Sequence, residues 1–253
     1  MHLPPLEEFL SALQTGALIV LLFRMWQAGL QRVYVYFFSY LLLLLFESAI
    51  LALVGYGTVA YGYVWMATEV LSLCFYTLIV LECFDSVLRN LGGIATISRR
   101  YIKITLGIAV IAALLLLGLE RTPRTVFQYF YTLDRTIISS LVMFVLLINI
   151  FLVYYPIPLN RNVIVYSVGY AVYFLTKAAA LFARNVSDEL QRQISAVLIA
   201  VSTTCLIFWA FTLNRRGETK TVVIGHKWRA EDEERLLSQL KEINASLGRA
   251  ARK

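Results

Sequence analysis

Histidine is almost missing from this chain. Only His2 and His226 occur in 253 residues. A haem held by two axial histidines inside a bundle is excluded, and so is a zinc hydrolase of the HExxH type. Cysteine is scarce too. Cys74, Cys83 and Cys205 are odd in number and scattered, which argues against a disulfide framework or a metal cluster and for small buried hydrophobes. Neither GxSxG nor a Walker loop occurs. No catalytic residue, metal or cofactor is therefore indicated. Charge is the other shortage. Asp, Glu, Lys and Arg make up 15% of the chain, against 59% hydrophobic residues. That balance suits a chain whose outer surface meets lipid rather than water.

What is present is a series of apolar runs. Seven are expected as membrane-spanning helices, over about 10–29, 34–54, 63–84, 102–119, 136–155, 163–182 and 194–213. Each is close to the roughly 20 residues that cross about 30 Å of hydrocarbon at 1.5 Å per residue. A transmembrane barrel is a poor alternative, because its strands alternate apolar and polar residues, whereas LLLLL at 41–45 continues into more apolar residues. The aromatic stretch VFQYFYTLDRT at 126–136 reads either as a separate interfacial helix or as an extension of the fifth span. The first helix is expected to be retained, since the leader MHLPPLEEFL is acidic rather than basic.

Orientation follows from the short connections. Arg32, Arg89, Arg99, Arg100 and Arg161 lie in or beside the first, third and fifth; the second, GYGTVAYGY, has no charge, and the fourth carries Arg121, Arg124 and Arg135, partly offset by Glu120 and Asp134. Lys and Arg are retained on the cytoplasmic side. The N-terminus is thus expected outside and the basic C-terminus inside. The net charge of +7 needs only an anionic leaflet, not a nucleic acid, as its partner.

Against this background the polar residues inside the spans stand out. Glu47, Glu69 and Lys177 are the candidates for a ligand site or an ion path. By the expected topology all three fall in the outer half of the membrane, where a charge is costly and usually faces the bundle interior. The alternatives stay open: the glutamates as solvated packing residues, and Lys177 either snorkelling to the interface or pairing with Glu47 or Glu69. Tyrosines such as Tyr56, Tyr61, Tyr63, Tyr131, Tyr170 and Tyr173 are available as donors. Glu82 is 13 residues beyond Glu69, about 20 Å further along the axis. It reads as part of a helix-end network with Asp85 and Arg89. Lys177 in a seven-helix chain invites comparison with retinal proteins, but their Schiff-base lysine lies on the last helix, and the seventh span here has none. Asn185-Val186-Ser187 matches a glycosylation triplet on the expected outer side.

The character changes after residue 213. A basic start and a short alternating stretch, TKTVVI, are expected to lie extended along the membrane or the inner loops. A helix follows at about 229–248. Leu236, Leu240, Ile243 and Leu247, at spacings of 4, 3 and 4, form its apolar face. The acidic run 231–234 suits its first turns. A helix of this length is marginal alone. Its face is expected to dock on its own bundle or the membrane, on a second copy, or on a cytoplasmic partner.

The sequence thus yields an all-α polytopic membrane protein: a seven-helix domain over 1–213 and a cytoplasmic tail over 214–253, in a plasma or inner membrane. Its expected function is that of a receptor or sensor coupling a small or lipidic ligand to a cytoplasmic partner. Two alternatives remain: a transporter or channel using the intramembrane Glu and Lys residues, and an accessory subunit of a larger membrane complex.

Overall fold

The computed structural model describes residues 5–55, 58–88, 104, 107–108, 111, 126–154, 157–184, 191–224 and 230–250. They are nearly all helical. α1 is Pro5–Ala28, α2 Val35–Val54, α3 Val59–Leu88, α4 Val126–Tyr154, α5 Arg161–Arg184, α6 Gln191–Thr212, α7 Arg215–Thr219 and α8 Ala230–Ala250. The first six of these are long and apolar enough to cross a membrane, the signature of a multi-pass membrane protein. The expected fourth span, at about 102–119, lies outside the described residues save for four positions. The aromatic stretch 126–136 resolves in favour of an extension, because α4 runs unbroken from Val126.

Burial follows one face of each helix. On α1, Leu18, Leu21, Leu22 and Met25 are buried while Ile19, Val20, Phe23 and Trp26 are exposed. On α4 the buried stripe is Ile138, Leu141, Val145, Ile148 and Leu152, the four- and three-residue steps of a helix face. The exposed faces are equally apolar, with Phe46, Leu53, Met143, Leu147 and Phe211 all on the outside. Lipid accepts such a surface, and water would not.

Neighbours in sequence pack together, and α1 also packs on α6, so the six helices close into a ring. α5 touches α3 as well as α4 and α6 and carries the most central side chains, Tyr166, Tyr170 and Phe174. One glycine sets a close approach. A Cβ at Gly169 would overlap the Trp209 indole, so α5 and α6 meet there. Gly16 and Gly107, also within expected spans, have open space beside them.

Past α6 the chain turns back onto the bundle. Asn214 caps the short α7 by accepting the Gly217 N–H at 2.8 Å. β2, Thr221–Ile224, then pairs antiparallel with β1, Ile157–Asn160, in the α4–α5 connection, with Leu159 opposite Val222. The extended stretch read from TKTVVI is therefore a paired strand. Its ladder continues where the Arg161 N–H donates to the Lys220 carbonyl at 3.0 Å. The side of the bundle that carries this ribbon is called the tail face below.

Candidate functional site

Two polar centres lie inside the bundle. The first collects the residues singled out from sequence and adds one. Lys177, 17 residues into α5 and buried, is ion-paired and hydrogen-bonded to Glu69 on α3. Its ammonium also lies 3.7 Å from Asp134 on α4, 3.4 Å from the Tyr76 hydroxyl and 4.6 Å from the centre of the Tyr76 ring. The ring face adds a cation–π attraction. Glu47 on α2 joins from the side. It accepts the Thr68 hydroxyl at 2.9 Å, one residue from Glu69. Of the two pairings left open for Lys177, the one with Glu69 forms. Lys177 does not snorkel.

Asp134 was missed by sequence reasoning, which counted it among the charges of a loop. A signal existed. One turn back from Ile138 along the buried stripe of α4 falls on Asp134, which is 3% exposed and so a core position. Tyr40 and Tyr76 were missed as well. Their hydroxyls lie 2.9 Å apart, and Tyr173 completes a triad at 2.8 Å from Tyr76 and 3.4 Å from Tyr40. Tyr173 is the one earlier tyrosine candidate in this triad. Tyr63 is exposed, and Tyr56 and the Tyr131 side chain lie outside the described residues.

Among the described residues this centre holds three carboxylates and one ammonium. An excess of negative charge in a low-dielectric interior is costly. A proton or a small cation relieves it, so the arrangement is chemically able to bind either.

The second centre is built on Glu82, which makes more bonds than the expected helix-end network. It is buried, and its two oxygens accept the backbone N–H groups of Tyr36 at 3.1 Å and Phe37 at 3.3 Å. These lie in the first turn of α2, whose own N-cap residue, Tyr34, offers no side-chain bond. Glu82 thus caps α2 from α3, where a carboxylate meets the positive end of the helix dipole. Tyr166 on α5 donates a third bond at 2.9 Å. Arg89, its expected neighbour, lies outside the described residues.

Beneath Glu82, on the tail face, the returning chain is locked down. Glu218 of α7 accepts from Tyr34 at 2.7 Å and from Asn162 at 2.8 Å with one oxygen, and from Asn160 at 3.3 Å with the other. Asn162 is fully buried and also donates to the Asn214 carbonyl at 2.8 Å. Burial first, then the Glu218 carboxylate, pushes the Tyr34 phenol well above the ordinary tyrosine value.

Of the expected tail face, Leu240 is buried and belongs to the core cluster, but Ile243 is 46% exposed. The shielded stripe expected over 236–247 is therefore corrected at Ile243. Ile243 lies only about 60° around the axis from Leu240, so the contact that α8 makes at Leu240 is narrow. The Leu236 and Leu247 side chains lie outside the described residues, as does the triplet 185–187. Cys83 and Cys205 are buried as expected, but Cys74 is exposed on α3.

A column of aromatic rings links the two centres. Tyr34 stacks on Tyr166 at 4.9 Å, Tyr166 on Tyr170 at 5.0 Å, Tyr170 on Tyr173 at 6.3 Å and Tyr173 on Tyr76 at 5.9 Å between centroids. These spacings lie in the range of favourable aromatic pairs. Comparison with protein-family models, curated proteins and solved structures finds no match to this chain.

Proposed function

We propose that this chain is a membrane sensor in which the Lys177 centre is the input and the docked tail is the output. The observation that carries the reading is the ring column. It runs along α5 from Tyr76 and Tyr173, beside Lys177, to Tyr166 and Tyr34, which hold Glu82 and Glu218. A change of charge at Lys177, Glu69 and Asp134 alters the packing of Tyr76 and Tyr173, and a closely packed column passes that change to the tail lock. The ligand is small, a proton or a cation, and the output is the exposure of the tail to a cytoplasmic partner or to a second copy of the chain.

The proposed topology has seven spans, the N-terminus outside, a membrane domain over 1–213 and a cytoplasmic tail over 214–253. Support for the seventh span comes from parity. α3 ends beside Glu82 at the tail face, whereas α4 begins at the opposite face, where Asp134 meets Lys177. The chain between residues 88 and 126 therefore joins opposite faces, which takes an odd number of crossings. Its apolar run is 102–119. Ile104, Ile108 and Ile111, in helical conformation and spaced as one helix face, are all exposed, as a lipid-facing stripe would be.

The test is protection of the tail. In reconstituted full-length protein, hydrogen exchange of residues 214–250 is expected to change with pH or added cation. That response should vanish in Glu69→Gln. A tail whose protection ignores both the ligand and the substitution would refute the sensor reading. The surplus of carboxylates also favours transport along the same residues, and an ion-flux assay in liposomes separates the two. Pull-down with and without residues 228–253 identifies the output.

A further inference from the structure

We propose that one water molecule, held between α2, α5 and α6, completes a proton path to the Lys177 centre from Ser202, on the side of the bundle at which α1 begins. This rests on the reading of that centre as the input. A cavity of about 10 Å³ lies among Tyr40, Tyr170, Tyr173, Ser202 and Trp209, room for about one water. Two of these residues carry buried polar groups with no partner among the described residues, the Tyr170 hydroxyl and the Trp209 indole N–H. The residues are 1% and 3% exposed. The indole can only donate, so it needs an acceptor, and leaving it without one is costly. Water supplies the acceptor and two donors besides.

Two hydrogen-bonded chains end at this cavity. One runs from Lys177 through Tyr76 to Tyr40 and Tyr173. The other is the bond from Gln14 on α1 to Ser202 on α6, at 3.1 Å. Gln14 is five residues inside the span that starts at Phe9, about 8 Å along the axis. A water between Ser202 and the two tyrosines joins the chains. From Ser202 inward each hydroxyl and the water accept one proton and pass on their own, while Lys177 gives a proton to the Glu69 or Asp134 carboxylate and regains one from Tyr76; the Gln14 amide holds the Ser202 hydroxyl in place. No bond between heavy atoms changes. The titratable groups that face the path are Glu47 and Tyr40 from α2, Glu69 and Tyr76 from α3, Asp134 from α4, and Tyr170, Tyr173 and Lys177 from α5. α1 and α6 contribute the neutral Gln14, Ser202 and Trp209.

The experiment follows carboxylic-acid formation by infrared difference spectroscopy after a pH jump, on the full chain in lipid. Ser202→Leu fills the cavity and is expected to slow the appearance of the carbonyl band at least about tenfold, the scale of one lost hydrogen bond, with its pH midpoint unmoved. Ser202→Ala leaves room for a second water and should stay within about twofold of the native rate. In solid-state NMR the Trp209 indole N–H, assigned with Trp209→Phe, should receive magnetisation from water in the native protein and not in Ser202→Leu. A native rate in Ser202→Leu, a shifted midpoint, an indole out of contact with water, or a native protein with no titrating carboxyl band would each overturn the proposal. Slowed protonation beside a tail that ignores pH would instead leave the path standing and refute the sensor reading alone.

Discussion

Lys177 and its carboxylates set the energetics at the scale of the residue. A buried charge is tolerable only while its partners remain. Replacing Lys177 with Met keeps the volume and removes the buried cation paired with Glu69, at a cost of about 3 kcal/mol. Thermal unfolding in detergent checks the loss. Tyr34 makes stability depend on pH. Its phenol holds its proton more tightly folded than unfolded, so its contribution is complete below the unfolded value of about 10 and is lost as the pH rises above it. Tyr34→Phe should cost about 1 kcal/mol below that pH and flatten the alkaline loss of stability. An unchanged alkaline slope would show that the hydroxyl bond to Glu218 is not responsible.

Two elements depend on groups outside themselves. α2 is capped by Glu82 of α3, so its start is defined by its neighbour rather than by its own sequence. α8 is held by a narrow contact at Leu240, and Ile243 faces outward. Leu240→Asp should therefore release α8, costing about 2 kcal/mol for a charge on a buried site, and should speed proteolysis within 230–250. Ile243→Asp should change stability by less than about 0.5 kcal/mol, as exposed substitutions do. Equal sensitivity of the two would mean that α8 buries a wider face than the contact at Leu240. The tail strand behaves differently, since β2 pairs with β1 and α7 is anchored at Asn162 and Tyr34. Release of α8 is expected to leave residues 214–224 protected.

For the whole molecule, antiparallel packing ties every described helix to one of two faces. α1, α3, α4 and α6 end at the tail face, and α2 and α5 begin there. A reporter after Lys253 is expected in the cytoplasm and one before His2 outside, by the placement of Lys and Arg. Cysteine labelling at 89–100 and at 121–125 should report opposite sides of the membrane. Labelling of both from one side would contradict the parity that favours a seventh span.

Class and element positions were legible in the sequence for a physical reason. In lipid each helix must satisfy its own backbone hydrogen bonds within a continuous apolar run, and that information is local. The apolar position of Leu240 and the extended form of TKTVVI were legible through periodicity, but the docking of the one and the pairing of the other with β1 were not. Which polar side chains meet was not. Lys177 and Glu69 are 108 residues apart. Asp134 looked like loop charge until α4 was seen to begin at Val126. Glu82 looked like an end group until the start of α2 was found above it. Each of these depends on how far a helix extends, how it is rotated, and which helix stands opposite. Those quantities are decided by the packing of all the side chains together, and only the tertiary structure contains them.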